Sequence, residues 1–160
     1  MSVLFCGNRA ANPVGPAAGP QTQLAQNIVL SWLAGSRILE LKTVQIKDRL
    51  ELTRPCIDMT TIGYNTEWSQ ELRLEESLRE YVKASMIVEM LKQWLFDSNP
   101  GSPTANPNFA TIFDVSVGYD LAGIQSTQIR RWLQTMRNAS ASIEEYRKEI
   151  PSQFTCYRDI

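Results

Sequence analysis

The chain has 160 residues, 43% hydrophobic and 21% charged, with a net charge of −1. That length suits one domain with a real core, and the balance excludes a disordered tail. Lysine and arginine are scattered along the sequence and form no basic stripe, which argues against a nucleic-acid surface.

No apolar run reaches the length of a bilayer span, and the start, Met-Ser-Val-Leu-Phe-Cys, has neither the basic n-region nor the long h-region of a secretory signal. A cytoplasmic protein without membrane contact is expected. Cys6, Cys56 and Cys156 lie far apart, with no Cys-x-x-Cys spacing. Reduced thiols are therefore expected, with neither a disulfide framework nor a metal site. The chain contains no histidine. This removes Ser-His-Asp and Cys-His schemes and imidazole acid–base catalysis. Chemistry must rest on Lys, Asp, Glu, Tyr, Ser or Cys, or on a bound cofactor.

In chain order, Ser2 to Gly7 is β-prone and Gly7-Asn8 reads as a turn. Asn12 to Gly19 carries Pro13 and Pro16, which exclude a helix and limit sheet pairing. A small hairpin followed by the first parallel strand fits. From Thr22 to Ala34, Leu24, Ile28 and Trp32 recur at spacing four, predicting a helix capped by Thr22 and stopped by Gly35. Arg37 to Gln45 reads as a strand with apolar residues on both faces, as in a covered parallel sheet.

A long polar connection, Ile46 to Glu71, leads to a helix over Glu71 to Phe96 with an apolar face of Leu74, Leu78, Tyr81, Val88, Leu91 and Leu95. Asp97 to Asn108 is proline-rich and reads as a loop. A third strand, Thr111 to Gly118, places Ile112, Asp114, Ser116 and Gly118 on one face. Thr127 can cap the next helix, with face Ile129, Trp132, Leu133 and Met136, and Ser142-Ile-Glu-Glu145 forms a capping box for a last short helix. A hairpin followed by three βα units implies an α/β fold with a parallel sheet.

Glu40 and Lys42, two apart on one strand, are expected to share a face. Lys42 either reaches the C-terminal end of the sheet, where open sheets and barrels hold ligands, or pairs with Glu40 or snorkels outward. Gly15-Pro-Ala-Ala-Gly19 lacks bulk, so a planar ring could lie on its backbone; an ordinary turn into a helix reads equally well. Asn65 falls in a loop after the second strand, as turn former or ligand contact. Asp114 and Ser116 either satisfy each other in a barrel interior or touch a ligand.

Several blocks together resemble a known family. They are Asn12-Pro-Val-Gly-Pro-Ala-Ala-Gly-Pro through Gly35, Glu40-Leu-Lys-Thr-Val-Gln45, Arg54-Pro-Cys-Ile-Asp58, Tyr64-Asn-Thr-Glu-Trp-Ser69 and Ser116-Val-Gly-Tyr119. Nearly the whole chain is similar to the N-terminal domain of the selenate reductase subunit family of flavin and iron–sulfur oxidoreductases. The resemblance implies a dihydroorotate-dehydrogenase-like (β/α)8 TIM barrel. Residues 1–160 would form its N-terminal part, a β-hairpin plus the first three βα units, truncated before strand four. By the same resemblance FMN would contact Ala17, Ala18, Gly19, Lys42, Thr43 and Asn65. FAD, NAD(P)H and 4Fe–4S clusters would belong to absent downstream modules of the parent chain, which would be the partners, with a molybdoenzyme-type protein as a further one. Gln21 and Asp120 depart from the family's histidine and asparagine.

Two functions compete, beside a third reading, a free-standing three-layer αβα ligand-binding domain, which would require these residues to be a complete protein. In one, the domain is the first half of an FMN-type electron-transfer site in an oxidoreductase, inactive as a fragment. In the other, the barrel has lost its flavin and serves as a scaffold or docking domain. Three parallel strands alone leave unpaired edges and an uncovered apolar face. The isolated polypeptide is therefore expected to aggregate or to give a broad, weakly cooperative melt by circular dichroism; a sharp transition of a monomer would contradict this.

Overall fold

The computed structural model describes residues 2–19, 22–44, 46, 57–58, 64–65, 72–96 and 107–157. The chain opens with β1 (Val3–Phe5) and β2 (Asn8–Ala10), paired antiparallel with Val3 opposite Ala10. The turn between them is Cys6–Gly7, not Gly7–Asn8. Both residues have positive φ, 48° and 78°, a combination whose twist matches that of the flanking strands.

Asn12 to Gly19 forms no strand, contrary to the expectation of a first parallel strand. Pro13 and Pro16 have no N–H to offer a ladder. The segment still lies beside the sheet: the Val14 carbonyl accepts from the N–H groups of Arg37 and Ile38 at 2.8 and 3.2 Å. A Cβ on Gly15 would land on the carbonyl oxygen of Ile38, so only glycine permits this approach.

Helix α1 spans Ala25–Leu33 and buries Ala25, Ile28 and Trp32. Thr22 is not its cap. The Thr22 hydroxyl closes back on Gly19, Leu24 takes the N-cap position, and the Ala25 N–H donates to Glu80 Oε2 at 2.7 Å. At the other end Gly35 (φ 107°) stops the helix as expected. The N–H of Gly35 bonds Trp32 O and that of Ser36 bonds Ser31 O, which satisfies the last carbonyls.

β3 is Ile38–Glu40, shorter than the predicted strand, and pairs parallel with β6 (Ile112–Asp114), Ile38 opposite Ile112. Both strands continue irregularly to one further bridge, Val44 with Val117. β4 (Ile57–Asp58) and β5 (Tyr64–Asn65) are a short antiparallel pair within the predicted polar connection, most of which lies outside the described residues, as does 97–106 of the proline-rich loop. The strands thus form three two-stranded sheets, mixed α/β with no closed barrel among the described residues.

Between β5 and β6 runs α2 (Leu74–Phe96), starting three residues later than predicted; Glu76 reaches back to the Arg73 N–H at 2.8 Å. After β6 comes α3 (Leu121–Ile124), which the periodicity did not reveal. α4 (Thr127–Arg137) is capped by Ser126, with Thr127 its first helical residue. α5 (Ser140–Arg147) begins before the predicted box: Asn138 Oδ1 accepts from both the N–H and the hydroxyl of Ser140.

The core joins α1, α2 and α4 to one face of the strands through Ile28, Trp32, Leu39, Leu41, Val44, Tyr81, Val88 and Trp132. Burial of each large side chain among these contributes about 1.5–3 kcal/mol. Tyr81 and Trp132 meet edge to face at 6.3 Å, and the Trp132 indole donates to Leu74 O at the start of α2. Arg37 lies over the rings of Trp32 and Phe109 and donates to the Trp32 and Ser36 carbonyls at the end of α1. Among the described residues no helix is long and apolar enough to cross a membrane. Gly15→Ala is expected to cost at least about 3 kcal/mol, because backbone rather than a movable side chain fills the space; urea unfolding would measure it.

Candidate functional site

The β3–β6 ladder changes register within the predicted site. Glu40 is opposite Asp114, but Val44 is opposite Val117, so Leu41, Lys42 and Thr43 face only Val115 and Ser116. The hydrogen bonds agree: the Leu41 N–H donates to Asp114 O, and the next ladder donor is Val44, to Ser116 O. One strand carries an extra residue, a β-bulge, which is rare in parallel pairs and frequent beside functional sites.

The bulge breaks simple alternation between Leu41 and Val44. Thr43 takes the position beside Glu40's face. Its hydroxyl meets the Ser116 hydroxyl at 2.9 Å, and a Cβ on Gly118 would come within 2.9 Å of the Thr43 methyl. Ser116 and Gly118 alternate with Asp114, which lies opposite Glu40. Leu39, Leu41 and Val44 stay in the apolar core. Asp114 and Ser116 do not meet as a pair in the described hydrogen bonds; Ser116 is engaged by Thr43.

Lys42 sits within the bulge with only 2% of its surface exposed. Its peptide groups face the edge away from β6, as those of Ile38 do, and find partners there. The N–H donates to Thr22 O at 3.4 Å, and the carbonyl accepts from the Tyr81 hydroxyl at 2.7 Å. Tyr81 comes from α2 and is 1% exposed. The bare turn lies against the same strand. The Ala18 N–H donates to Glu40 Oε2 at 3.0 Å, and Gly19, buried, is bonded through both its N–H and its carbonyl by Thr22. Ala17 is exposed.

The structure therefore brings together Ala18, Gly19, Lys42 and Thr43 of the predicted residues. Asn65 lies in β5, opposite Ile57, in a separate two-stranded sheet and not in a loop. Gln21 lies outside the described residues. Asp120 has a local task, since its Oδ1 accepts from the Gly123 N–H at 2.7 Å and caps α3.

Two further residues join the site, and a third follows Thr22 in the sequence. Glu40 occupies the Ala18 amide, Tyr81 holds the Lys42 carbonyl, and Gln23 is 1% exposed with no hydrogen-bond partner for its Nε2 among the described residues. The first two contacts span 22 and 39 residues, so no local pattern signals them. An unpartnered buried amide costs about 1–3 kcal/mol, which a ligand acceptor would relieve. Buried nitrogen donors beside a side-chain-poor turn suit a flat ligand rich in acceptors.

A family model described as "Oxidoreductase YgfK, N-terminal TIM-barrel domain" matches residues 1–158. Among curated proteins, "Putative oxidoreductase YgfK" of Escherichia coli (strain K12) is 48% identical over 139 residues, 87% of this chain and 13% of that protein. The protein of the same description from Escherichia coli O157:H7 matches equally. The chain thus spans about an eighth of the length of these relatives. No solved structure matches it.

Burial holds the Tyr81 phenol above the ordinary tyrosine value of about 10. The folded state therefore favours the neutral form. That stabilisation is full below about pH 10 and is lost as pH rises towards the folded value. Tyr81→Phe should cost about 1–3 kcal/mol at neutral pH, by removing the hydroxyl donor to the Lys42 carbonyl, and should flatten the alkaline loss. Tyr146, half-buried and shifted the same way, retains its own share. Urea unfolding near neutrality and above pH 10 would check both.

Proposed function

The chain belongs to the family of the N-terminal TIM-barrel domain of oxidoreductase YgfK, and from that premise we propose that it forms the opening part of a dihydroorotate-dehydrogenase-like barrel that holds FMN within a longer electron-transferring oxidoreductase. The observation that carries this reading is Lys42, buried within a β-bulge where the ladder has given up its regular pairing, beside a turn without bulky side chains.

Bound FMN would supply hydride and electron transfer. Lys42 would hold the flavin's N1/O2 edge and offset negative charge developing there, a charge-assisted contact of about 1.5–3 kcal/mol. Ala17, Ala18 and Gly19 would let the ring approach the backbone, and Thr43 and Asn65 would contribute polar contacts. The Gln23 amide would find its missing acceptor on the same ligand. FAD, NAD(P)H and 4Fe–4S clusters would belong to other modules of the full-length protein, which would be cytoplasmic and could hand electrons to a molybdoenzyme-type partner. Reduction of selenate is suggested by the family resemblance, and no residue of this chain is assigned to an oxyanion.

A second reading has one observation of its own. Glu40 already takes the Ala18 N–H, so that amide is not free for a ligand. A barrel that had lost its flavin and served as a docking scaffold would look the same at this contact.

The two readings separate in the full-length protein. Denaturation should release FMN from the wild type. Lys42→Met, which keeps the buried stem, should weaken FMN binding roughly 10- to 100-fold. FAD content should be unchanged. No FMN in the wild type, with Lys42→Met harmless to electron transfer, would leave the scaffold reading.

A further inference from the structure

Resting on the flavin reading, we infer that Tyr81 is a positioning residue for Lys42: from the helix layer behind the sheet, its hydroxyl fixes the bulged peptide and so determines how the lysine is presented. A residue inserted into a parallel ladder has no register partner to define its orientation. At Lys42 the definition comes from outside. The Tyr81 hydroxyl makes a 2.7 Å bond to one side of its peptide, whereas the contact on the other side, from the N–H to Thr22 O, is 3.4 Å.

Tyr81 is itself held firmly. Its ring packs edge to face on Trp132, whose indole N–H bonds the Leu74 carbonyl in the first turn of α2. With 1% exposure, the phenol has no water to turn to, and without it the Lys42 carbonyl would lose this bond. Removing the hydroxyl takes away the shortest contact that fixes this peptide from the helix side and leaves the segment Leu41–Thr43 freer to turn Lys42.

The test compares wild type and Tyr81→Phe in the full-length protein by reductive dimethylation of lysines, read by mass spectrometry. Phe keeps the ring contact with Trp132 and removes only the donor. Lys42 should label roughly five- to tenfold faster in the variant, the factor expected for one buried hydrogen bond. Lys92, which is 9% exposed on the same helix and paired with Glu89, reports loosening of α2 and should not change. Equal Lys42 rates in the two proteins, or Lys42 and Lys92 rising together, would overturn the positioning role. The labelling reads out whether or not FMN is bound, so this failure is distinct from failure of the flavin reading, which the FMN-release assay decides.

Discussion

The extra residue between Glu40 and Val44 is the constraint on which the site depends. A regular ladder would have set Lys42 and Thr43 on alternating faces. The bulge instead lets Leu41 and Val44 both remain in the apolar core while Thr43 joins Glu40, Ser116 and Gly118. On the edge away from β6, the Lys42 peptide groups couple the strand to α2 and to the turn before α1.

Polar contacts around this peptide are long in sequence and short in space. Glu40 fixes the turn at Ala18, Glu80 caps α1 at Ala25, and Tyr81 fixes the strand at Lys42. Each joins a loop or terminus to a rigid element, which is how a site assembled from separate segments keeps its geometry. Gly15 works by another means, since its lack of a side chain lets the proline-broken segment lie on the Ile38 carbonyl and stand in for a strand.

The helices were largely legible in the sequence. Spacing of Ile28 and Trp32, of Tyr81 and Val88, and of Ile129 and Trp132 marks their buried faces correctly, because period 3.6 survives tertiary packing. Their starts were less legible. Thr22, Thr127 and Ser142 are all good capping residues, yet Leu24, Ser126 and Ala139 hold the cap positions. Cap choice depends on partners such as Glu80 and Asn138 as much as on residue type. At the site, Lys42 stood out as a charge in an apolar strand, and the turn at Ala18 and Gly19 by its lack of bulk. The bulge did not stand out, since an inserted residue leaves no mark in one strand and shows only when both strands are aligned. Asn65 was misjudged as a loop residue for a related reason: two-residue strands are too short for any period.

Glu80 and Tyr81 are consecutive, yet they serve different segments, one the first turn of α1 and the other the bulged strand. Each residue added to a helix rotates the remaining turns by about 100°. An insertion in α2 before Glu80 would therefore swing both contacts away together, whereas lengthening beyond Val88 would leave both in place. The helix is thus divided into a half whose length is fixed by the site and a half free to drift, so length variation among relatives should fall on the Phe96 side.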